Sequence, residues 1–381
     1  MPNTLEENVN RVKTAKTAIA NAITAKGGTV GANDGLEDFA SDIGTIPSGG
    51  GGSSVEMKDV NFYDYDGTIV YSYTAAEFAE LTAFPNNPTH DGLTAQGWNC
   101  DELATAKSYV SDYGKLDLGQ SYTTSDGKTR LYIDLLEEAK SPVLRLYLYG
   151  DTTVNINWGD GSAISTLSGF SQAVEERHNY ASGGKYVISI EVIGTMYITG
   201  YQRLFTDGAN SPSYDNIYKQ SIYKIEIGDN VRSINAEAFR NYSNIESITI
   251  PKTVTIIGDT NIFYTIYKMK TLIIPWNANL GNTAFRNLYV ENLILPLSAT
   301  TVNNSSNPSL RKIIIPNSVT SIPTQAFMSC SLYSIIIPSS VSSIGSDAFP
   351  DTVRNITIHK EQGSISGSPW GATNATVTWT G

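Results

Sequence analysis

Few residues in this chain could carry chemistry. His90, His178 and His359 are its three histidines, and each stands alone, with no serine or carboxylate spacing that repeats a nucleophile, base and orienting group. His178 therefore reads as a packing residue and His359 as the occupant of a strand end. Cys100 and Cys330 are far apart and suggest isolated thiols, neither a metal cage nor a disulfide framework. The aspartates of "YDYDGT" (Tyr63 to Thr68) and "WGDGS" (Trp158 to Ser162) could bind Ca2+, but neither run has the ligand ladder of an EF-hand loop. Turn chemistry explains both more simply. No catalytic group, metal or cofactor is expected. A surplus of aromatic residues is the more informative signal, with 22 tyrosines in all. Tyr264, Tyr267, Trp276 and Tyr289 fall in an irregular stretch and are the candidate ligand-binding residues, because flat amphipathic rings suit sugar or protein recognition. Ordinary packing between neighbouring turns is the competing explanation.

The elements that must position these rings follow from composition and pattern. At 381 residues the chain is expected to divide into two to four units. Only 17% of residues are charged, and Gly, Ser, Thr, Asn and Tyr abound, a mix that favours β-rich, turn-rich modules over a helical enzyme. A net charge of −11 argues against nucleic acid or an anionic membrane as partner. No stretch of about 18 apolar residues spans a membrane, and the N-terminus lacks a secretory apolar core.

The N-terminal segment, residues 1–46, has a helical pattern. Leu5, Val9, Val12, Ile19 and Ile23 form a heptad seam broken by Lys16, and Thr4 with Glu7 makes a capping box. A second short helix carries Leu36, Phe39 and Ile43 on one side. Neither stripe could be buried alone, so a homo-oligomer, with a trimer favoured, is expected through these residues. "PSGGGGSS", Pro47 to Ser54, is a flexible tether.

Residues 55–141 read as a mixed α/β domain. "VNFYDYDGTIVYSYT" suggests two strands joined through Asp66-Gly67, while "TAAEFAEL" and "CDELATAKSYVSDYG" suggest short helices. Over 142–200 apolar and polar residues alternate with period two, around Trp158-Gly159-Asp160-Gly161, His178, Tyr180, Tyr186 and Val187. That motif set resembles the polycystic-kidney-disease-type repeat, and the resemblance implies an immunoglobulin-like β-sandwich used as a spacer or carbohydrate-facing module.

From 201 to 381 the sequence repeats. "IESITIPKTV", "MKTLIIPWNA", "VENLILPLSA", "LRKIIIPNSV" and "LYSIIIPSSV" start a new unit every 20 to 24 residues. Pairs such as Ile248/Ile250, Leu272/Ile274 and Ile335/Ile337 share one side of a strand, and Pro ends the strand because it lacks a ladder N–H. Phe239, Phe263, Phe285, Phe327 and Phe349 are expected to fill the same interior on the return path. A short period with one strand per turn describes a solenoid whose stacked turns bury a shared ladder and leave a long face free. The unit Asn292 to Arg311 lacks the Ala-Phe pair, the unit Thr271 to Glu291 lacks the Ile-Gly step, and "SISGSPWGATNATVTWTG" suggests a cap.

The repeat resembles the bacterial leucine-rich repeat of the BspA-like type over about Ile222 to Lys360. Separately, Ala22-Ile23, Lys26-Gly27, Val30, Leu36, Phe39-Ala40 and Ile43 resemble the attachment segment of tail-fibre and receptor-binding proteins of phages of Gram-positive bacteria. Together the resemblances imply a modular, mainly β protein: a helical anchoring segment, a mixed α/β domain, an immunoglobulin-like sandwich and a leucine-rich-repeat solenoid. The expected function is non-enzymatic attachment of a virion tail to a bacterial surface glycan or protein, with tail or baseplate proteins as further partners. A bacterial cell-surface adhesin is the first alternative and a polysaccharide-degrading tail protein the second.

Overall fold

The Ile-x-Ile-Pro rhythm becomes a stack of parallel strands in the computed structural model, which describes residues 56–199, 204–206, 217–281 and 283–381. One set of strands comprises β10 (Ile222–Glu226), β12 (Ser247–Thr249), β14 (Thr271–Ile273), β16 (Asn292–Ile294), β18 (Ser334–Ile337), β20 (Asn355–Ile358) and β21 (Thr376–Trp379). β10 pairs with β12, β14 with β16, and β18 with β20 and then β21, all parallel and in register, so Ile225 lies beside Ile248, Leu272 beside Leu293, and Ile335 beside Ile356 and then Val377. The return path supplies a second parallel set: β11 (Val231–Ile234), β13 (Ile256–Ile257), β15 (Asn279–Leu280), β17 (Ser321–Ile322) and β19 (Ser343–Ile344). Leu280-Gly281 thus supplies the step that the third unit was expected to lack.

Between the two sets the interior is continuous. Phe239, Phe263 and Phe285 stack at 5.8 and 6.1 Å, and Phe327 stacks on Phe349 at 6.2 Å. The gap between those columns belongs to the shortened fourth unit. There Asn304 donates its backbone N–H to the Ala326 carbonyl, as Phe327 does to Ala348, so an asparagine holds the phenylalanine slot. It is fully buried, and neither side-chain amide atom has a hydrogen-bond partner among the described residues. At the far end Trp370 meets Phe349 edge-on at 6.4 Å, and β21 adds a last rung, so the C-terminal segment caps the ladder.

The near end is closed by long antiparallel strands. β5 (Thr129–Leu135), β6 (Val143–Asn157), β7 (Ser165–Arg177) and β8 (Gly184–Ile198) precede the solenoid, with the two-residue β9 (Phe205–Thr206) against β6. β8 pairs with β6 along one edge. Its other edge meets β5 over residues 184–190 and β11 over residues 196–198. β5 in turn pairs with β10. One bent strand therefore starts both walls of the solenoid.

This arrangement corrects the expectation of a separate immunoglobulin-like sandwich over 142–200. Among the described residues β6, β7 and β8 belong to a ten-stranded sheet that also contains β5, β9 and five solenoid strands. Their inward residues, including Leu146, Val154, Ile156 and Ile190, share one apolar core with the repeats as far as Ala372. Period-two alternation specifies a sheet with one buried face but not which layer covers it. Here the repeats do.

Residues 56–124 build a four-stranded sheet in the order β2–β1–β4–β3, from β1 (Val60–Tyr63), β2 (Ile69–Tyr73), β3 (Leu93–Trp98) and β4 (Leu116–Thr124). The expected hairpin is present as the antiparallel β1–β2 pair. Helix α1 (Ala75–Ala79) starts with a capping box in which Thr74 and Glu77 satisfy each other's backbone N–H. Helix α2 (Leu103–Tyr113) buries Ala106, Tyr109, Val110 and Tyr113 on one stripe and stops at Gly114, whose φ of 74° suits a left-handed helix end. A third short helix, α3 (Ile217–Ser221), leads into β10. The expected helical pair over 1–46, its seam Leu5, Val9, Val12, Ile19 and Ile23, and the tether at 47–54 lie outside the described residues.

Candidate functional site

The outward face of the strand stack is where a leucine-rich solenoid would offer a surface, and most of it is already occupied. The middle residue of each Ile-x-Ile triplet points outward: Glu226, Thr249, Ile273, Ile294, Ile314, Ile336 and Thr357. Ile273 and Ile294 are buried against Tyr63 and Ile69, while Ile314 and Ile336 pack on the core that holds Phe62, Trp98 and Tyr109. The approach is close enough that a Cβ on Gly119 would lie 2.5 Å from Ile273 Cγ2, so β4 needs glycine there.

Polar contacts fix the docking. Asn99 Nδ2 donates to the carbonyls of Ile274 and Ile294 at 3.2 and 3.4 Å, while its Oδ1 accepts from Gly119 N at 2.8 Å. Lys312 Nζ is 2.7 Å from Asp117 Oδ2. His359 meets the Tyr113 ring edge-on at 4.9 Å. The long free face expected from the repeat alone is thus covered by residues 56–124 through the middle repeats.

It reopens over the first three. Beyond the Asp66-Gly67 turn, the entrances of β10, β12 and β14 line three adjoining depressions of about 410, 540 and 400 Å3, with Lys268 on the wall of each. Asp134 of β5, Lys185 of β8 and Tyr223 border one depression, Tyr65 and Asp66 a second, and Asn241, Ser243 and Tyr267 the third. Beside it, Glu226 is nearly inaccessible yet well partnered. It receives Lys224 Nζ at 2.8 Å and the Tyr132 hydroxyl at 2.9 Å, with Arg130 at 3.9 Å. Burial, followed by the hydrogen bond to Glu226 and then its charge, pushes Tyr132 up to about 12, so the phenol stays a donor. Lys224 also lies 4.9 Å from the Tyr132 ring centroid and 5.6 Å from that of Tyr65.

Of the four candidate aromatics, Tyr267 lines one of the depressions and Tyr289 lies against it. Tyr267 is 56% exposed and its ring centroid is 4.7 Å from that of Tyr289. Burial and then the neighbouring hydroxyls of Tyr267 and Tyr264 raise the Tyr289 phenol, while Tyr264 also carries the Arg240 guanidinium 5.3 Å from its ring centroid. Trp276 follows Pro275 at the opposite end of β14 and makes no ring contact with the three.

The lysines, carboxylates and amides of the groove escaped the sequence reading, because they come from β5, β8 and three separate repeats. A signal for the covered face did exist. Leu272-Ile273-Ile274, Leu293-Ile294-Leu295, Ile313-Ile314-Ile315 and Ile335-Ile336-Ile337 are unbroken aliphatic runs, the mark of strands buried on both sides.

The isolated titratable groups have structural surroundings. His178 stacks on Trp158 at 4.6 Å and its Nε2 lies 2.8 Å from Asp160 Oδ2. Burial pushes the Asp160 carboxyl upward, but hydrogen bonds from Ser162 and His178 outweigh it and bring the group down to about 2. His90 Nε2 is 2.7 Å from the buried Asp64 Oδ2. Cys100 and Cys330 are both free and buried. No group of three or more His, Cys, Asp or Glu among the described residues could hold a metal ion, and no described helix is long and apolar enough to cross a membrane.

Comparison with known proteins agrees with the solenoid. No curated protein matches the chain. A solved leucine-rich repeat protein from Bacteroides ovatus ATCC 8483 aligns at 23% identity with a TM-score of 0.30. That alignment covers 42% of this chain and 56% of the other, little more than half of that protein's length. The family model described as BspA type Leucine rich repeat region matches residues 213–306 and 305–368, in six copies. Residues 213–368 are thus similar to the BspA type leucine-rich repeat region, in keeping with the stacked strands.

Proposed function

We propose that this chain is a bacterial surface-recognition protein of the adhesin type, a non-enzymatic module that holds a surface glycan or protein in the groove over its first three repeats. One observation carries this reading. A solenoid similar to the BspA type has the outward face of its middle strands covered by residues 56–124, while over its first three repeats, among the described residues, that face stays open and is lined by tyrosine, lysine, amide and carboxylate side chains. Rings and hydrogen-bonding groups on a rigid sheet suit reversible recognition. Self-association through residues 1–46 would add avidity if several heads engage one surface together. Attachment of a virion tail rests on those same residues, and neither the fold nor the comparisons add support for it.

The test is binding of the fluorescently labelled full chain to intact bacterial cells and to extracellular-matrix-coated surfaces. Saturable binding that falls in the Tyr267→Ala/Lys268→Ala double variant is expected. Binding no greater than that of an inert protein of similar charge defeats the reading, and release of sugar from the surface defeats its non-enzymatic part.

A further inference from the structure

The groove's lining narrows its ligand to one chemical class. We infer that it takes a linear, uncharged polysaccharide, an assignment that rests on the groove being a recognition site at all.

Length comes first. The depressions run across β8, β5, β10, β12 and β14, and strand spacings of about 4.8 Å put roughly 19 Å between the outer two. That span suits several linked rings better than a single small molecule.

Charge comes next. Lys185, Lys268 and Lys270 make no ion pair among the described residues, but neither do Asp66, Asp134 and Glu246, which line the same depressions. A polyanion would meet those three carboxylates as like charges, and a polycation would meet the lysines. A chain of hydroxyl groups satisfies both sets, because each hydroxyl donates to a carboxylate and accepts from an ammonium or amide. Gln220 and Asn244 add amides that do either.

Shape decides between sugar and peptide. A bound peptide strand would need a free sheet edge or side-chain pockets. Here β10 has partners on both edges, β5 and β12, the far edge of β12 faces β14, and Leu136 and Ile217 are the aliphatic side chains on the groove's lining. Tyr65, Tyr223 and Tyr267 instead border the depressions with aromatic rings, to which the C–H faces of sugar rings pack beside the Lys224 and Lys185 ammonium groups, 5.6 and 5.5 Å from the Tyr65 and Tyr223 ring centroids.

The experiment measures the full chain against printed neutral linear glycans (gluco-, xylo- and manno-oligosaccharides) and against the polyanions hyaluronan and heparin, at low and high salt. Retention of a neutral glycan with little salt dependence is expected, with affinity reduced about tenfold or more, some 1.4 kcal/mol, by Tyr223→Ala and by Glu246→Gln. Phe170→Ala, on the distant exposed face of β7, leaves it unchanged. Thermal melting of each variant separates lost binding from lost fold. Preference for a polyanion, binding that collapses with salt, or retention of no glycan overturns the inference. If the chain still adheres to cells in any of those cases, the adhesin reading survives without it, whereas loss of cell binding with neutral glycans retained sinks the adhesin reading alone.

Discussion

The Tyr109 hydroxyl on α2 donates a 2.7 Å hydrogen bond to the backbone carbonyl of Ile315, 206 residues further along the chain. The carbonyl belongs to the Ile313-Ile314-Ile315 run, so this single bond ties the N-terminal α/β layer to the fifth repeat. Tyr109→Phe keeps the ring packing but leaves that buried acceptor without its donor. A loss of about 1–3 kcal/mol in chemical denaturation is expected. An unchanged midpoint would mean that water replaces the hydroxyl at no cost.

The same triplet position should respond very differently in different repeats. Ile294→Ala empties a site sealed beneath Tyr63 and is expected to cost about 2–5 kcal/mol. Thr357→Ala, at the equivalent position of β20 and only half-buried, should stay within about 0.5 kcal/mol. Equal costs in urea titrations would contradict the covered-face arrangement.

Asn304 gives a stabilising prediction. Its buried amide has no partner, so Asn304→Leu removes the orphaned polar atoms and fills space between the two phenylalanine columns. A gain of about 1 kcal/mol, read as a higher Tm, is expected. A lower Tm would show that the amide is satisfied by internal water.

Burial pushes the Cys100 thiol up to about 11 and the Cys330 thiol up to about 12, so neither offers a thiolate near neutral pH. A thiol-specific reagent at pH 8 should label neither in the native chain and both after unfolding. Rapid native labelling of either would contradict their placement in the two cores.

Asp160 sets an acid limit. Its folded carboxyl, at about 2, lies below the ordinary value of 3.8, so the folded state binds the proton less readily than the unfolded chain. The resulting stability is fully present above the ordinary value and drains away as pH falls towards 2. Asp160→Asn should therefore lower the melting temperature at pH 6 and show a smaller further loss than the parent between pH 4 and pH 2. Parallel pH profiles for the two proteins would refute the role of the His178 and Ser162 hydrogen bonds.

Much of this architecture could be read from residue spacing. The isoleucine pairs, the proline stops and the recurring phenylalanines specify the solenoid, because each unit's apolar face needs its neighbours. The Asp66-Gly67 hairpin and the short helix in "TAAEFAEL" are local and were equally legible. The sandwich was not, since alternation along β6 and β8 marks a buried face without naming the layer that buries it. Asn99 and Tyr109 were beyond reach for a related reason: their partners are backbone carbonyls far away in sequence. Of Tyr264, Tyr267, Trp276 and Tyr289, the rings of Tyr267 and Tyr289 lie together, but the lysines and carboxylates beside Tyr267 come from segments that only tertiary folding joins.

The strap formed by residues 56–124 has a mechanical consequence. An array of repeats linked only to nearest neighbours frays from its ends, one turn at a time. Here Asn99 grips the third and fourth turns, Lys312 and Tyr109 bind the fifth, and Tyr113 reaches the seventh through His359, so several turns share one brace. Tension along the chain would then meet a single cooperative yield point rather than a sequence of small ones.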